Sequence, residues 1–345
     1  MYQIYNHVTG NFLETLVILG NGFDIAHGIP SKYSDFHDYL MYQKKSNLLY
    51  QCDQYFSVED FWANVEQSLG KIDYSHIVEE ELSYLENASD RDEDNERNRF
   101  EAVLDDFSCR FLVELTDMVN EWVLSFNYQN LAKQYFEIID NNKLFLSFNY
   151  SSTLEEIYGI NQANILYLHG KAVAVSHPHP SDVEVPHSEL IIGHALEEYN
   201  FNDEKRRSHF LSSNSHKTKP IRKLIVIENE QKIVNYFNNS RKKTSDILNH
   251  NEDFFNKIFG IRKLIIFGHS LSEIDLLYFK KISQKLIYQD IAIVIYDCEN
   301  QLENRKKVIC DIFTKANVSC IATNHRYQLQ RPQIPQESLI GASRA

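Results

Sequence analysis

The 345-residue chain carries 35 lysines and arginines against 48 aspartates and glutamates, a formal net charge of −13. That balance excludes nucleic acid and membrane surfaces as default partners, because affinity for a polyanion comes mainly from neutralising phosphates. With 43% hydrophobic and 24% charged residues, the chain lies near globular averages, and its length fits one large α/β domain or two ordinary ones.

Met1 to Thr9 is polar and shows no signal-peptide pattern, and no apolar run approaches the ~20 residues needed to span a bilayer. The cysteines, Cys52, Cys109, Cys298, Cys310 and Cys320, form no C-x-x-C pair, which fits a reducing compartment. A cytoplasmic location without a membrane anchor is expected.

Leu16-Val17-Ile18-Leu19 predicts the first buried strand, running into Gly20-Asn21-Gly22-Phe23-Asp24 and then Gly28-Ile29-Pro30-Ser31. Two glycines after a strand let a backbone approach a diphosphate, and the following helix supplies N–H donors. The third glycine of G-x-G-x-x-G is absent, and a tight turn is the competing use. From about Tyr33 to Asn142 there is no clear strand and several helical patterns, which predicts a helical insertion. Within it Phe61, Trp62 and Val65 read as core, while Asn64 and Glu66 reach the crevice if the insertion folds over it. Glu79 to Asp106 holds twelve acids against three arginines, and 87–98 reads as a helix–helix connection. Phe100, Val103, Leu104, Phe107, Phe111, Leu115, Met118, Val119 and Trp122 recur at three- and four-residue steps, a core-facing helical stripe rather than a cofactor box.

The second strand, Leu144 to Phe148, ends in Asn149-Tyr150-Ser151, and Ser152 with Glu155 offers a capping box for a helix through Tyr158. Asn149 can hold a ribose hydroxyl, orient a water or cap the helix. Ile165 to Leu168 ends in His169-Gly170, where a histidine can titrate near neutrality. A loop is expected over 176–188, then a strand at Leu190-Ile191-Ile192 ending in Gly193-His194, then a basic segment with seven lysines and arginines and no acid from Lys205 to Lys223. Leu264 to Phe267 ends in Gly268-His269-Ser270, with Ser272 and Asp275 opening a helix to about Leu286. Ile291 to Tyr296 ends in Asp297, whose carboxylate could accept ribose hydroxyls. A peripheral tail follows Tyr327.

Six strands that are apolar throughout and alternate with helices predict a Rossmann-like open, mainly parallel α/β sheet. The expected division is a discontinuous nucleotide-binding domain over 12–40 and 141–326, a helical insertion over 41–140, and a tail over 327–345. Ligands of such sheets bind beyond the carboxyl ends of the strands, where all these polar motifs fall.

Taken in order, the stretch from Gly20 to Tyr39, Phe148-Asn149-Tyr150, Leu168-His169-Gly170, and the stretch from Gly268 to Phe279 resemble the bacteriophage abortive infection AbiH family. At a greater distance the same order is similar to the sirtuin-like NAD-binding superfamily. The resemblance implies that Gly20, Asn21, Gly22, Phe23, Ser151, Gly268, His269, Ser270 and Asp297 bind NAD. It also implies that Asn149 orients ribose or water and His169 acts as general base. The zinc-binding cysteine pairs of sirtuin deacylases are absent, so NAD hydrolysis, not deacylation, is the implied activity, with no metal. Asp24 stands where those proteins carry a small hydroxyl residue. It would face the ribose or cationic nicotinamide as a third catalytic group, cap its helix, or mark a different ligand. The resulting expectation is an antiphage NAD glycohydrolase, acting alone, as a homo-oligomer or with a partner defence protein. A non-catalytic NAD or ADP-ribose sensor is one alternative. The other is a metal-dependent nuclease using His177, His179 and His187.

Overall fold

The computed structural model describes residues 14–56, 61–71, 98, 101–102, 104–105, 110–174, 189–195, 231–232, 234–286 and 290–323. The 87–98 connection apart from residue 98, most of the acidic block, Phe100, Val103 and Phe107 lie outside these residues. So do the 176–188 loop with its histidines, the 205–223 basic segment and the tail from 327.

Six strands form one sheet: β1 Thr15–Leu19, β2 Leu144–Ser147, β3 Ile165–Tyr167, β4 Lys263–Phe267, β5 Ala292–Asp297 and β6 Asn317–Ala322. All neighbours are parallel, in the order β3-β2-β1-β4-β5-β6. Chain order therefore reverses between β1 and β4. Val17 lies at the centre of the sheet, opposite Phe145 on one side and Ile265 on the other. Leu16 to Leu19 are all buried because both faces of the strand are covered, which is why their sequence shows no polar alternation.

The two faces divide by residue parity. Val17, Leu19, Phe145 and Phe267 pack into one core with Leu48, Cys52, Phe61, Leu104, Phe111, Leu115, Val119 and Trp122. Leu16, Ile18, Leu146, Leu264 and Ile266 face Phe255, Ile258, Phe279, Ile282 and Ile309 on the other side. The helices expected between the first two strands are present as Tyr33–Tyr42, Ser46–Tyr55, Val65–Ser68 and Leu112–Leu124. They share their core with one face of the sheet.

Two local expectations are corrected. Residues 190–192 form no strand, and the sixth strand is Asn317–Ala322. That strand is an edge with four of its six residues exposed, so it lacks the continuous apolar run that marks the central strands. The helix Thr153–Tyr158 forms, but the Ser152 side chain makes no capping bond. Glu155 is drawn away to the Tyr167 hydroxyl and to Lys171. Among the described residues no helix is long and apolar enough to cross a membrane.

Candidate functional site

A cavity of about 320 Å³ opens at the carboxyl ends of the strands, where the order reverses. It gathers Gly20, which follows β1, with Asn21 and Asp24 of the short helix Asn21–Ala26, and Asn149 and Ser151 from the loop after β2. His169 comes from beyond β3, and Gly268, His269 and Ser270 from beyond β4. The insertion closes it with Asn64, Glu66, Trp122 and Phe126, the fold-over on which the reading of Asn64 and Glu66 depended.

Three of the expected binding residues lie elsewhere. Phe23 is fully buried, with its ring edge-on to Phe267 at 5.3 Å. Gly22 is packed against Gly268: a Cβ at Gly22 would stand 2.6 Å from Gly268 Cα, and Gly268 adopts a φ of +62°. The Gly22 amide donates to the Gly268 carbonyl at 2.8 Å, and the Gly20 amide to Phe267 at 3.0 Å. The glycines thus bring two loops of the chain together, and their donors serve that contact rather than a phosphate. Asp297 accepts from the Cys298 amide at 2.8 Å and from Arg305 at 3.3 Å, and it does not line the cavity.

Asp24 is only 2% exposed. Ser151 Oγ and Thr153 Oγ1 each donate to it at 2.6 Å. Burial pushes its pKa up to about 6 against the lowering effect of hydrogen bonds from Ser151, Thr153 and Asn149. The Asn149 amide also donates to the Gly20 carbonyl at 3.1 Å, joining the loops after β1 and β2. A carboxylate offers about four lone-pair sites, so Asp24 retains capacity toward the cavity.

Behind Glu66 and His169 lies a residue that nothing in the sequence marked. The Lys242 side chain is 0% exposed and pairs with Glu66 at 2.8 Å. Lysine is almost never fully buried unless paired. Its position follows from Gly193-His194: His194 donates its amide to Ser240 at 2.9 Å and accepts from the Lys242 amide at 2.8 Å. A Cβ at Gly193 would stand 2.3 Å from the Ser240 carbonyl, so only glycine admits this docking. Burial raises the pKa of Glu66, partly offset by Lys242, and raises that of Asp275 likewise. Tyr150 Oη lies 3.1 Å from both Glu66 and the Ile191 carbonyl.

Both cavity histidines are buried and held neutral. Burial, then the neighbouring Lys242, lowers the pKa of His169 well below the usual range. Burial brings that of His269 down to about 3. His169 Nδ1 lies 3.3 Å from Lys242 Nζ. An ammonium only donates, so Nδ1 accepts and the ring hydrogen sits on Nε2. Among the described residues no group of three or more His, Cys, Asp or Glu could hold a metal ion.

Searches of curated proteins and of solved structures gave no match. A family model described as "Bacteriophage abortive infection AbiH" matches residues 16–297, a span that contains every strand end from which the cavity is built and the insertion that covers it. The chain belongs to the AbiH family of bacteriophage abortive infection proteins.

Proposed function

We propose that the role in abortive infection which the family gives is exercised by hydrolysis of the nicotinamide–ribose bond of NAD in this cavity. One observation carries the reading: a buried carboxyl group, Asp24, with a pKa of about 6, lines a cleft at the order reversal of a parallel sheet. Dinucleotides bind at this point in doubly wound sheets.

The cavity lies near the lower end of ligand-cleft volumes, a size for the nicotinamide–ribose end rather than the whole dinucleotide. Asp24, Glu66 and Asp275 line it, a surrounding that favours the cationic pyridinium. Residues that hold the diphosphate are not assigned, because the amides of Gly20, Gly22 and Gly268 already donate to the carbonyls of Phe267, Gly268 and Tyr296.

In the reaction, the oxygen of a water attacks the anomeric carbon as the carbon–nitrogen bond breaks. The bonding electron pair neutralises the pyridinium, so nicotinamide leaves without acid help. Asp24, ionised above about pH 6, stabilises the positive charge on the ribose and receives the proton of the attacking water. Asn149 orients the ribose or that water. His169, with its hydrogen on Nε2, serves as a donor to the ligand in place of the base expected from sequence. The products are nicotinamide, ADP-ribose and a proton.

The test is to incubate purified protein with NAD, with and without phage-derived extract, and follow nicotinamide. The reading predicts release in at least the extract arm, and its loss in Asn149→Ala with folding unchanged. Calorimetric NAD binding without release in either arm would replace the hydrolase by a sensor.

A further inference from the structure

Besides Ser31 Oγ, two buried polar atoms of residues lining this cavity have no hydrogen-bond partner: His169 Nε2 and Asp275 Oδ1. Buried orphans cost desolvation free energy that a bound group can restore. These two are of opposite kind. Because Lys242 occupies Nδ1 of His169 at 3.3 Å, Nε2–H can only donate. Asp275 offers an acceptor. Its second oxygen takes the Ser272 hydroxyl at 3.1 Å and lies 3.7 Å from His269 Nε2. His269 Nδ1 accepts from the Leu271 amide at 2.9 Å, so its Nε2 also bears hydrogen. The Phe148 ring stands edge-on to both histidines, at 5.4 Å from His169 and 4.2 Å from His269, giving the pair a flat apolar wall.

A sugar hydroxyl both donates and accepts, and needs no such fixed pair. A primary carboxamide matches it: its oxygen only accepts, its nitrogen only donates, and both lie in one plane. We propose that His169 and Asp275 form a carboxamide-reading pair, His169 Nε2–H to the amide oxygen and the amide nitrogen to Asp275 Oδ1. Lys242 is the positioning residue that fixes the histidine hydrogen. The choice of nicotinamide as the amide's bearer rests on the proposed function. The pair rejects a carboxylate in the same place, which would set two anionic oxygens against each other.

The experiment is calorimetric titration of the full chain with nicotinamide and with nicotinate, in wild type and in Asp275→Asn. Wild type is expected to bind nicotinamide roughly tenfold or more tightly than nicotinate, the scale of one hydrogen bond to a charged group. Asp275→Asn, whose amide donates to a carboxylate, is expected to shift the ratio toward nicotinate by a similar factor. Equal affinities in wild type overturn the inference, as does no nicotinamide binding at roughly millimolar concentration. The wild-type ratio decides even if the variant does not fold. Selective nicotinamide binding without NAD cleavage would keep this pair and remove the hydrolase. Cleavage of NAD and its nicotinate analogue at equal rates would do the reverse.

Discussion

The backbone and the side chains around the cavity are built on opposite principles. Where the chain leaves β1 and β4, Gly22 and Gly268 bring backbone onto backbone, and the amides of Gly20, Gly22 and Gly268 all donate to backbone carbonyls. Beside them, Lys242, Glu66, His169 and Asp275, drawn from either side of β4, from the insertion and from beyond β3, form a polar cluster that still has an orphan donor and an orphan acceptor. The glycine amides are engaged, while the side-chain cluster has atoms left to pair. Glycines after a strand therefore mark a close approach without saying to what. Here the partner is another glycine loop, and the unpaired atoms belong to side chains.

Five variants test this contrast. Lys242→Met removes a fully buried cation between the part-buried Glu66 and the buried Asp275, and truncating one member of a buried pair costs about 3–5 kcal/mol. In urea unfolding at pH 7 the loss is expected at that scale, and it shrinks as acid protonates Glu66 and Asp275. Gly22→Ala would press a methyl group onto Gly268 and is expected to cost about 3 kcal/mol, the upper range for overpacking. Gly28→Ala is its control: Gly28 has a φ of +79° but nothing within 4 Å of an added Cβ. Only left-handed strain of about 1 kcal/mol remains there.

Asp24 gives a dependence on pH. Its pKa is raised from the ordinary 3.8 to about 6 by burial, so the folded chain binds the proton more tightly than the unfolded one. Its contribution to stability is fully present below about pH 4 and is lost as pH rises through about 6. The loss is about 3 kcal/mol, because each tenfold difference in proton affinity between the folded and unfolded chain is worth roughly 1.4 kcal/mol. Asp24→Asn should remove that slope from a set of unfolding curves between pH 4 and 7. If the slope survives, another group is its source. The smallest effect is expected at Ser152→Ala, which loses no capping bond and should stay within about 0.5 kcal/mol. A loss of about 1 kcal/mol in thermal unfolding would restore Ser152 as a cap.

The sequence made the central strands legible because both faces of the sheet are buried. Leu16 to Leu19 and Leu264 to Phe267 are apolar without a break. The edge strand Asn317–Ala322 escaped that criterion because four of its six residues are exposed. Asp24 was legible as an anomaly, and the structure gives its setting: two hydroxyls, from Ser151 and Thr153, hold a carboxyl group that burial would otherwise neutralise. Lys242 was not legible. It sits in the polar run Ser240-Arg241-Lys242-Lys243-Thr244, where composition predicts a solvated surface. Its burial arises from the docking of that run on Gly193-His194. The signal in Gly193 was visible, but its partner was not, since this close backbone approach puts a glycine on only one of the two segments.

Whether Asp24 carries the proposed chemistry of the cavity is read from the pH profile of nicotinamide release from NAD. The measurement compares wild type with Asp24→Asn in the presence of phage-derived extract. Wild-type release is expected to rise through about pH 6 as Asp24 ionises. The variant is predicted to lose roughly 10²-fold or more of the rate and to show no such rise. Release by Asp24→Asn at the wild-type rate, with the same profile, would contradict that role.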